Sequence, residues 1–255
     1  MRGALDSIVI LTGAGISAES GLATFRGPDG LWEGQRVEDV CTPQALARDP
    51  ELVHRFYDER RAKLAEVEPN AAHRALARLD AEWPGELLIV TQNVDDLHER
   101  AGARRLLHMH GELRSALCAR CGARRAWDGP LPPPARVERR SETLSGASRV
   151  SASLGTDGAC CEHAALRPDI VFFGEMPYQM ERIDAALARA DLFVSIGTSG
   201  AVYPAAGFVQ QARHHGAWTL ELNLEPSAGS FLFSETRQGP ATELVPAWVQ
   251  EVLAA

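Results

Sequence analysis

The feature that most constrains this chain is a set of short apolar runs that stop abruptly at glycine or small polar residues. Residues 7–11 read SIVIL and run straight into Thr12-Gly13-Ala14-Gly15-Ile16-Ser17. Residues 86–91 lead into Gln92-Asn93-Val94-Asp95, residues 192–196 into Gly197-Thr198-Ser199, and residues 218–222 into Asn223-Leu224-Glu225. Short runs that are apolar on both faces suit strands covered on both sides, the setting of a parallel sheet. A further strand is expected at 169–173. Helical stretches fall between the runs, at 42–67, 70–79, 181–189 and 247–253. The first opens at Thr42-Pro43, an N-cap followed by proline at the first helical position. An interruption is expected near Asp49-Pro50, because proline disfavours helix at the residue before it. Alternating strand and helix predicts an α/β fold, a doubly wound parallel (Rossmann-like) sheet whose ligands bind beyond the C-terminal strand ends.

We expect a Rossmann-like domain built from residues 1–41, 85–111 and 169–255, a helical insertion over 42–84, and a small module over 112–168. That module holds four of the five cysteines, as Cys118-x-x-Cys121 and Cys160-Cys161. Its Ser/Gly-rich stretch, 141–158, offers too little apolar surface to fold alone and reads as a loop. Paired cysteines in a chain with no export signal suggest metal rather than disulfides. No apolar run nears the roughly 18 residues needed to cross a bilayer, so a cytoplasmic protein without a membrane partner is expected. The net charge of −8 argues against nucleic-acid binding and suits a positively charged partner such as a lysine-rich protein tail. A monomer is expected.

Gly13-Ala14-Gly15-Ile16-Ser17-Ala18 follows a strand and fits the pattern G-x-G-x-x-A. Glycines there permit a tight turn and close approach of backbone to a pyrophosphate at a helix N-terminus. The pattern fits an ordinary strand-to-helix turn equally well. The acidic residue that a dehydrogenase places about 20 positions later on the ribose has no clear candidate at the end of a second strand.

The segment GAGISAESGLATFRGPDGLW resembles the NAD-binding signature of the sirtuin family. Thr91-Gln92-Asn93-Val94-Asp95, His108-Met109-His110-Gly111, Phe172-Phe173-Gly174-Glu175, Gly197-Thr198-Ser199 and Asn223-Leu224-Glu225 continue the resemblance in the family's order, over nearly the whole chain. It implies NAD-dependent removal of acyl groups from protein lysines, giving nicotinamide, free lysine and O-acyl-ADP-ribose. It implies that Gly13, Ala14, Gly15, Ala18, Thr24, Phe25, Arg26 and Trp32 belong to the NAD site. Gln92 would belong to the NAD site as well, and Asn93 and Asp95 would help hold the ribose and the nicotinamide carboxamide; without the resemblance, Asn93 and Asp95 read as helix caps. Gly197, Thr198 and Ser199 would contact phosphate, Asn223, Leu224 and Glu225 the adenosine end, and Ala241 the adenine. The general base would be His110 rather than His108, since His110 directly precedes Gly111-Glu112; imidazole suits the role because it titrates near neutrality. The acylated peptide would add as a strand near Val171, Phe172 and Gly174.

In the stretch 51–67, Leu52, Val53, Phe56, Leu64 and Val67 make an apolar stripe, and Tyr57 and Arg60 share a face within or beside it. An inward arginine needs a partner, and a phenol with a guanidinium would suit a carboxylate. The resemblance implies the same, for Tyr-x-x-Arg marks the class III sirtuins, which remove succinyl and malonyl groups. The resemblance also implies one structural zinc on Cys118, Cys121, Cys160 and Cys161. Here the sequence departs from the family: the gap between pairs is long and the second pair is adjacent. Cys160-x-x-His163 is then a competing ligand pair, and a degenerate site without metal is the other outcome. Competing readings of the whole chain are an NAD-dependent mono-ADP-ribosyltransferase, a non-catalytic NAD sensor and a zinc-ribbon nucleic-acid binder.

Overall fold

The strand β1 (Ser7–Thr12) is the middle of everything that follows, and all six of its residues are buried. The computed structural model describes residues 5–24, 31–32, 34–132 and 166–254. After β1 come the short hairpin β2 (Leu31–Trp32) and β3 (Gln35–Arg36), then α1 (Val37–Val40), α2 (Pro43–Arg48), α3 (Pro50–Lys63) and α4 (Ala71–Glu82). The chain continues through β4 (Glu86–Thr91), α5 (Leu97–Ala101), β5 (Leu106–His108), β6 (Gly111–Cys118) and β7 (Arg124–Ala126). The second half is β8 (Leu166–Ile170), α6 (Met180–Leu187), β9 (Leu192–Ile196), α7 (Phe208–His214), β10 (Trp218–Asn223), β11 (Glu235–Gln238) and α8 (Ala241–Leu253).

Six of these strands form one parallel sheet in the order β11-β10-β9-β1-β4-β5. Alternate residues of β1 feed opposite cores, as the two-residue period of a strand requires. Ile8 and Ile10 pack with Leu76 and Leu79 of α4 and with Val245, Trp248 and Val249 of α8. Val9 and Leu11 pack with Ile183 and Leu187 of α6 and with Phe208, Val209 and Ala212 of α7. The expected doubly wound parallel sheet is therefore present. Because β4 lies on one side of β1 and β9 on the other, the strand order reverses at β1, and a crevice opens beyond its C-terminal end.

The caps behave as the sequence suggests. Thr42 accepts a hydrogen bond from the Ala45 N–H at 3.0 Å and Asp49 one from the Leu52 N–H at 3.0 Å, so the Asp49-Pro50 break separates α2 from α3. Asn70 caps α4 reciprocally with His73.

Three expectations change. The strand expected at 169–173 lies at Leu166–Ile170 and leaves the parallel sheet; it pairs antiparallel with β6, in a small sheet ordered β7-β6-β8. Pro168 is tolerated because β8 is an edge strand, where a missing N–H costs no ladder bond. The last helix starts at Ala241 rather than 247 and carries Pro246 within it. After β1 the chain forms two short 3-10 turns, Ala14–Ile16 and Ala18–Ser20, in place of an α-helix. The Gly15 N–H donates to the carbonyl of Gly197 at 2.8 Å, so its direction is set by the neighbouring strand end and not by a helix. Among the described residues no helix is long and apolar enough to cross a membrane.

Candidate active site

The ends of β1, β4, β5 and β9, the residues after β8 and the last turn of α3 surround one cavity of about 240 Å³. Of the residues expected at NAD, it is lined by Gly13, Ala14, Gly15, Thr24, Gln92, Asn93, Asp95, Gly197, Thr198 and Ser199. His110, Arg60, Val171, Phe172 and Gly174 line the same cavity. Ala18, Asn223, Leu224, Glu225 and Ala241 do not line it. Asn223 supports it from behind, donating to the Thr198 carbonyl at 2.7 Å. Ala18 adjoins Glu19, whose carboxylate accepts from Thr242, the neighbour of Ala241 at the start of α8. Leu224 is exposed, as is Glu225. Phe25, Arg26 and the side chain of Trp32 lie outside the described residues.

Beneath the crevice is a buried polar network centred on Ser17. Its hydroxyl donates to Asp95 Oδ2 at 3.0 Å and accepts from Asn93 Nδ2 at 3.1 Å. His73 Nδ1 accepts from the Asn70 N–H, so its proton sits on Nε2, which faces Ser17 Oγ at 3.3 Å. One hydroxyl thus uses its donor and both acceptor sites, the full capacity of a serine. Burial pushes the Asp95 carboxyl up to about 6, against hydrogen bonds from the Leu97 N–H and Ser17. Burial also pulls His73 down to about 4 and His98 well below the usual imidazole value, so both rings are neutral. A neutral His98 faces Thr12 Oγ1 at 3.1 Å.

His110 stands in the turn between β5 and β6. Its Nδ1 lies 3.1 Å from the Gln92 carbonyl, which can only accept, so Nδ1 carries the proton and Nε2 keeps its lone pair. Burial holds its pKa below the ordinary imidazole value, with the Gln92 contact opposing. The following Gly111 has φ +85°, and a Cβ there would lie 2.0 Å from the Asp169 carbonyl oxygen; glycine lets β6 press against β8 immediately after the histidine.

The segment after β8 is braced from inside. Arg167 forks onto Glu175 at 2.8 and 2.7 Å, and Glu175 caps the Phe172 N–H at 2.9 Å. The Val171 N–H donates to the His110 carbonyl at 2.9 Å, tying this wall to the histidine turn.

Tyr57 and Arg60 occupy different depths. Arg60 lines the cavity, its guanidinium 3.1 Å from the Phe56 ring centroid and its Nη1 on the Phe56 carbonyl at 2.6 Å. Tyr57 is fully buried behind the wall, packed on Phe56 and Phe172, with its hydroxyl against the Cys41 thiol. Cys41 itself reaches the cavity, and burial keeps it a neutral thiol. Lys63, three residues beyond Arg60, also lines the cavity. No motif in the sequence singles out Lys63, Cys41, Ser17, His73 or His98 for these places. Spacing of three from Arg60 could have flagged Lys63, and Asn70-x-x-His73 carried a capping signal; nothing local marks Cys41 or His98.

Cys118 closes β6 and is buried, while Cys121 is exposed on the turn that leads to β7. The Gly122 N–H donates to the Cys118 carbonyl at 2.9 Å, bringing the two cysteines onto one tight turn. Cys160, Cys161, His163 and the stretch 141–158 lie outside the described residues. Among the described residues no three potential metal ligands cluster.

Comparison with known proteins agrees with this geometry. The profile of the Sir2 family matches residues 13–204. An NAD-dependent protein deacylase of Caulobacter vibrioides is 52% identical over 257 residues, spanning 100% of this chain and 99% of that protein. One from Vibrio parahaemolyticus is 51% identical, spanning 97% of this chain and 95% of the relative. A solved Sir2 homologue–NAD complex superposes with a TM-score of 0.79 at 36% identity, covering 96% of this chain and 89% of that one. A Sir2–p53 peptide–NAD+ structure superposes with a TM-score of 0.74 at 26% identity, covering 98% and 94%. With the glycine turns, the Gln92-to-Asp95 loop and His110 meeting at one crevice, and with relatives matched end to end, this chain belongs to the Sir2 family.

Proposed function

We propose that the protein is an NAD-dependent protein lysine deacylase that removes succinyl and malonyl groups and, more weakly, acetyl groups. The products would be nicotinamide, free lysine and O-acyl-ADP-ribose. The observation that carries the reading is that His110 and Arg60 line one cavity, a base and a cation at two walls of the same space.

NAD, when bound, supplies the electrophilic ribose carbon and the nicotinamide leaving group. The turns at Gly13–Gly15 and Gly197, packed backbone against backbone at the cavity's edge, would meet its phosphates, and the Asn93–Ser17–Asp95 network offers hydrogen-bonding groups to a carboxamide. His110 acts as the general base through Nε2, taking a ribose hydroxyl proton, while the Gln92 carbonyl fixes its orientation. Arg60 and Lys63 would hold the distal carboxylate of the acyl chain, charge-assisted contacts that an acetyl group cannot make. Tyr57 would serve from behind Cys41, shaping that end and donating only if the thiol gives way. The peptide would bind in extended form along Val171–Gly174. The same reading assigns a structural zinc to Cys118 and Cys121 with donors from 160–163, which metal analysis of the purified protein tests.

The deciding experiment compares acetyl- and succinyl-lysine versions of one peptide with NAD, reading kcat/KM for each. A succinyl preference supports the whole reading. An acetyl preference keeps the deacylase and removes the carboxylate role of Arg60; no nicotinamide release from either peptide removes the enzyme.

A further inference from the structure

His108 and His110 stand two residues apart, and both rings reach back to the loop that follows β4. The Nδ1 of His110 lies 3.1 Å from the Gln92 carbonyl, and the Nδ1 of His108 lies 3.0 Å from the next carbonyl, that of Asn93. Their other nitrogens differ. His108 Nε2 is 2.6 Å from Glu99 Oε1, so both nitrogens of this ring face oxygens that accept. Both contacts are satisfied as hydrogen bonds only when the ring holds two protons. The His110 ring has, among the described residues, the Gln92 carbonyl alone as its hydrogen-bond partner.

The surroundings favour that charge. Glu99 and the neutral His98 face His108 from α5, Asp95 from the loop after β4, and Glu112 from β6. Burial pulls the ring's pKa down, but the Glu99 hydrogen bond and charge, Glu112 and the Asn93 carbonyl together outweigh it and raise it. What hangs on the contact is the cofactor wall: Asn93 lines the cavity and its side chain donates to Ser17.

We propose that His108, as an imidazolium, is a positioning residue whose hydrogen bond to the Asn93 carbonyl holds the Gln92–Asn93 segment in its cofactor-binding conformation. A neutral ring has one N–H for two acceptors. The carboxylate of Glu99 makes the stronger claim on it, because charge-assisted hydrogen bonds outweigh neutral ones. Loss of the proton therefore releases Asn93, and cofactor affinity falls as pH rises. The inference rests on the reading that this cavity takes NAD and does not depend on His110 acting as the base.

The test is an NAD titration of the intact protein between about pH 6 and pH 9, for the unchanged chain, Glu99→Gln and His108→Asn, with the pH profile of kcat/KM alongside. NAD affinity of the unchanged protein should fall about three- to tenfold on the alkaline side of the ordinary imidazole range, the size of one hydrogen bond. Glu99→Gln should lose that fall, since the new amide can donate to His108 Nε2 and leave the Nδ1–H of the neutral ring for the Asn93 carbonyl. His108→Asn, whose amide can still donate to the Asn93 carbonyl, should remove the fall while retaining NAD binding. NAD affinity of the unchanged protein that is flat across the range, or the same fall in both the unchanged protein and Glu99→Gln, overturns the proposal. If His108→Asn fails to fold, Glu99→Gln at the half-exposed carboxylate still decides. Failure to bind NAD at any pH overturns the cofactor reading together with this one, whereas turnover surviving in His110→Ala would remove only the base.

Discussion

Gly15 and Gly197 meet backbone to backbone. A Cβ built on Gly15 would lie 2.7 Å from the Gly197 Cα, and one on Gly197 would lie 2.5 Å from the Ile16 nitrogen. The relation joins the turn after β1 to the turn after β9, the two strand ends that flank the crevice. Gly15→Ala should therefore cost about 1–3 kcal/mol of stability through overpacking against backbone that has nowhere to move. NAD affinity should fall by more than the stability change accounts for, since the cradle itself is displaced; thermal unfolding and NAD titration read the two effects.

Ser17→Ala removes the one group that satisfies Asn93, Asp95 and His73 together. Leaving buried partners unmatched should cost about 1–3 kcal/mol, and NAD binding should weaken because Asn93 and Asp95 lose their common tether. Denaturant unfolding with an NAD titration checks both. A loss of stability with unchanged NAD affinity would argue that the network is structural only.

Asp95 should leave a mark on stability against pH. Its carboxyl, at about 6 in the folded protein and near 3.8 when unperturbed, binds a proton more tightly folded than unfolded. Its contribution to stability is therefore greatest in acid and declines as pH rises from about 4 to about 6, by on the order of 2–3 kcal/mol at 1.36 kcal/mol per unit. Asp95→Asn should lose that decline, so that its stability relative to the unchanged protein improves across the same window. Urea unfolding at several pH values measures it.

His110→Ala should reduce turnover by about 10²- to 10⁴-fold, the usual size of general-base catalysis, with NAD affinity nearly unchanged. Since burial lowers the His110 pKa, the acid limb of kcat/KM should fall below the ordinary imidazole value of 6.5. Arg60→Met should reduce succinyl-peptide turnover by about tenfold or more relative to acetyl-peptide turnover, as loss of a charge-assisted hydrogen bond implies. Equal losses on the two peptides would count against the carboxylate role.

Arg61, the neighbour of Arg60, gives a contrasting case. Its side chain is buried, bonded to the Leu113 carbonyl at 2.6 Å, to Asp58 at 2.5 Å and to the Gly129 carbonyl at 3.1 Å. It pins α3 to β6 of the small sheet and does not itself line the cavity. Arg61→Met should cost about 1–3 kcal/mol by leaving the Leu113 and Gly129 carbonyls without their donor, Asp58 keeping the Leu131 N–H, while the succinyl-to-acetyl ratio of the folded enzyme stays put. Denaturant midpoints and the two-peptide assay separate the adjacent arginines.

The sequence by itself determined the strands β1, β4, β9 and β10, the breaks at Asp49 and Asn70, and the residues that end each strand. Those are local facts: burial on both faces writes continuous apolar runs, and caps and prolines act within a turn of themselves. The motifs also carried His110 and the loops at Gly13, Asn93 and Gly197 to one crevice, because parallel strands of one sheet must end on one edge. Tertiary structure decided the rest. An apolar run does not name its pairing partner, so only the fold could move residues 166–170 from the large sheet to β6. Tyr57 and Arg60 share a helical face, yet the packing of Cys41 and Phe172 put one behind the cavity wall and the other in it. Ser17, His73 and Asp95 come from segments more than twenty residues apart, and their protonation follows from burial that no local pattern records. The same holds for His108 and His110: two histidines in one short motif look alike in sequence, and only the carboxylate brought up by α5 gives one of them a charge.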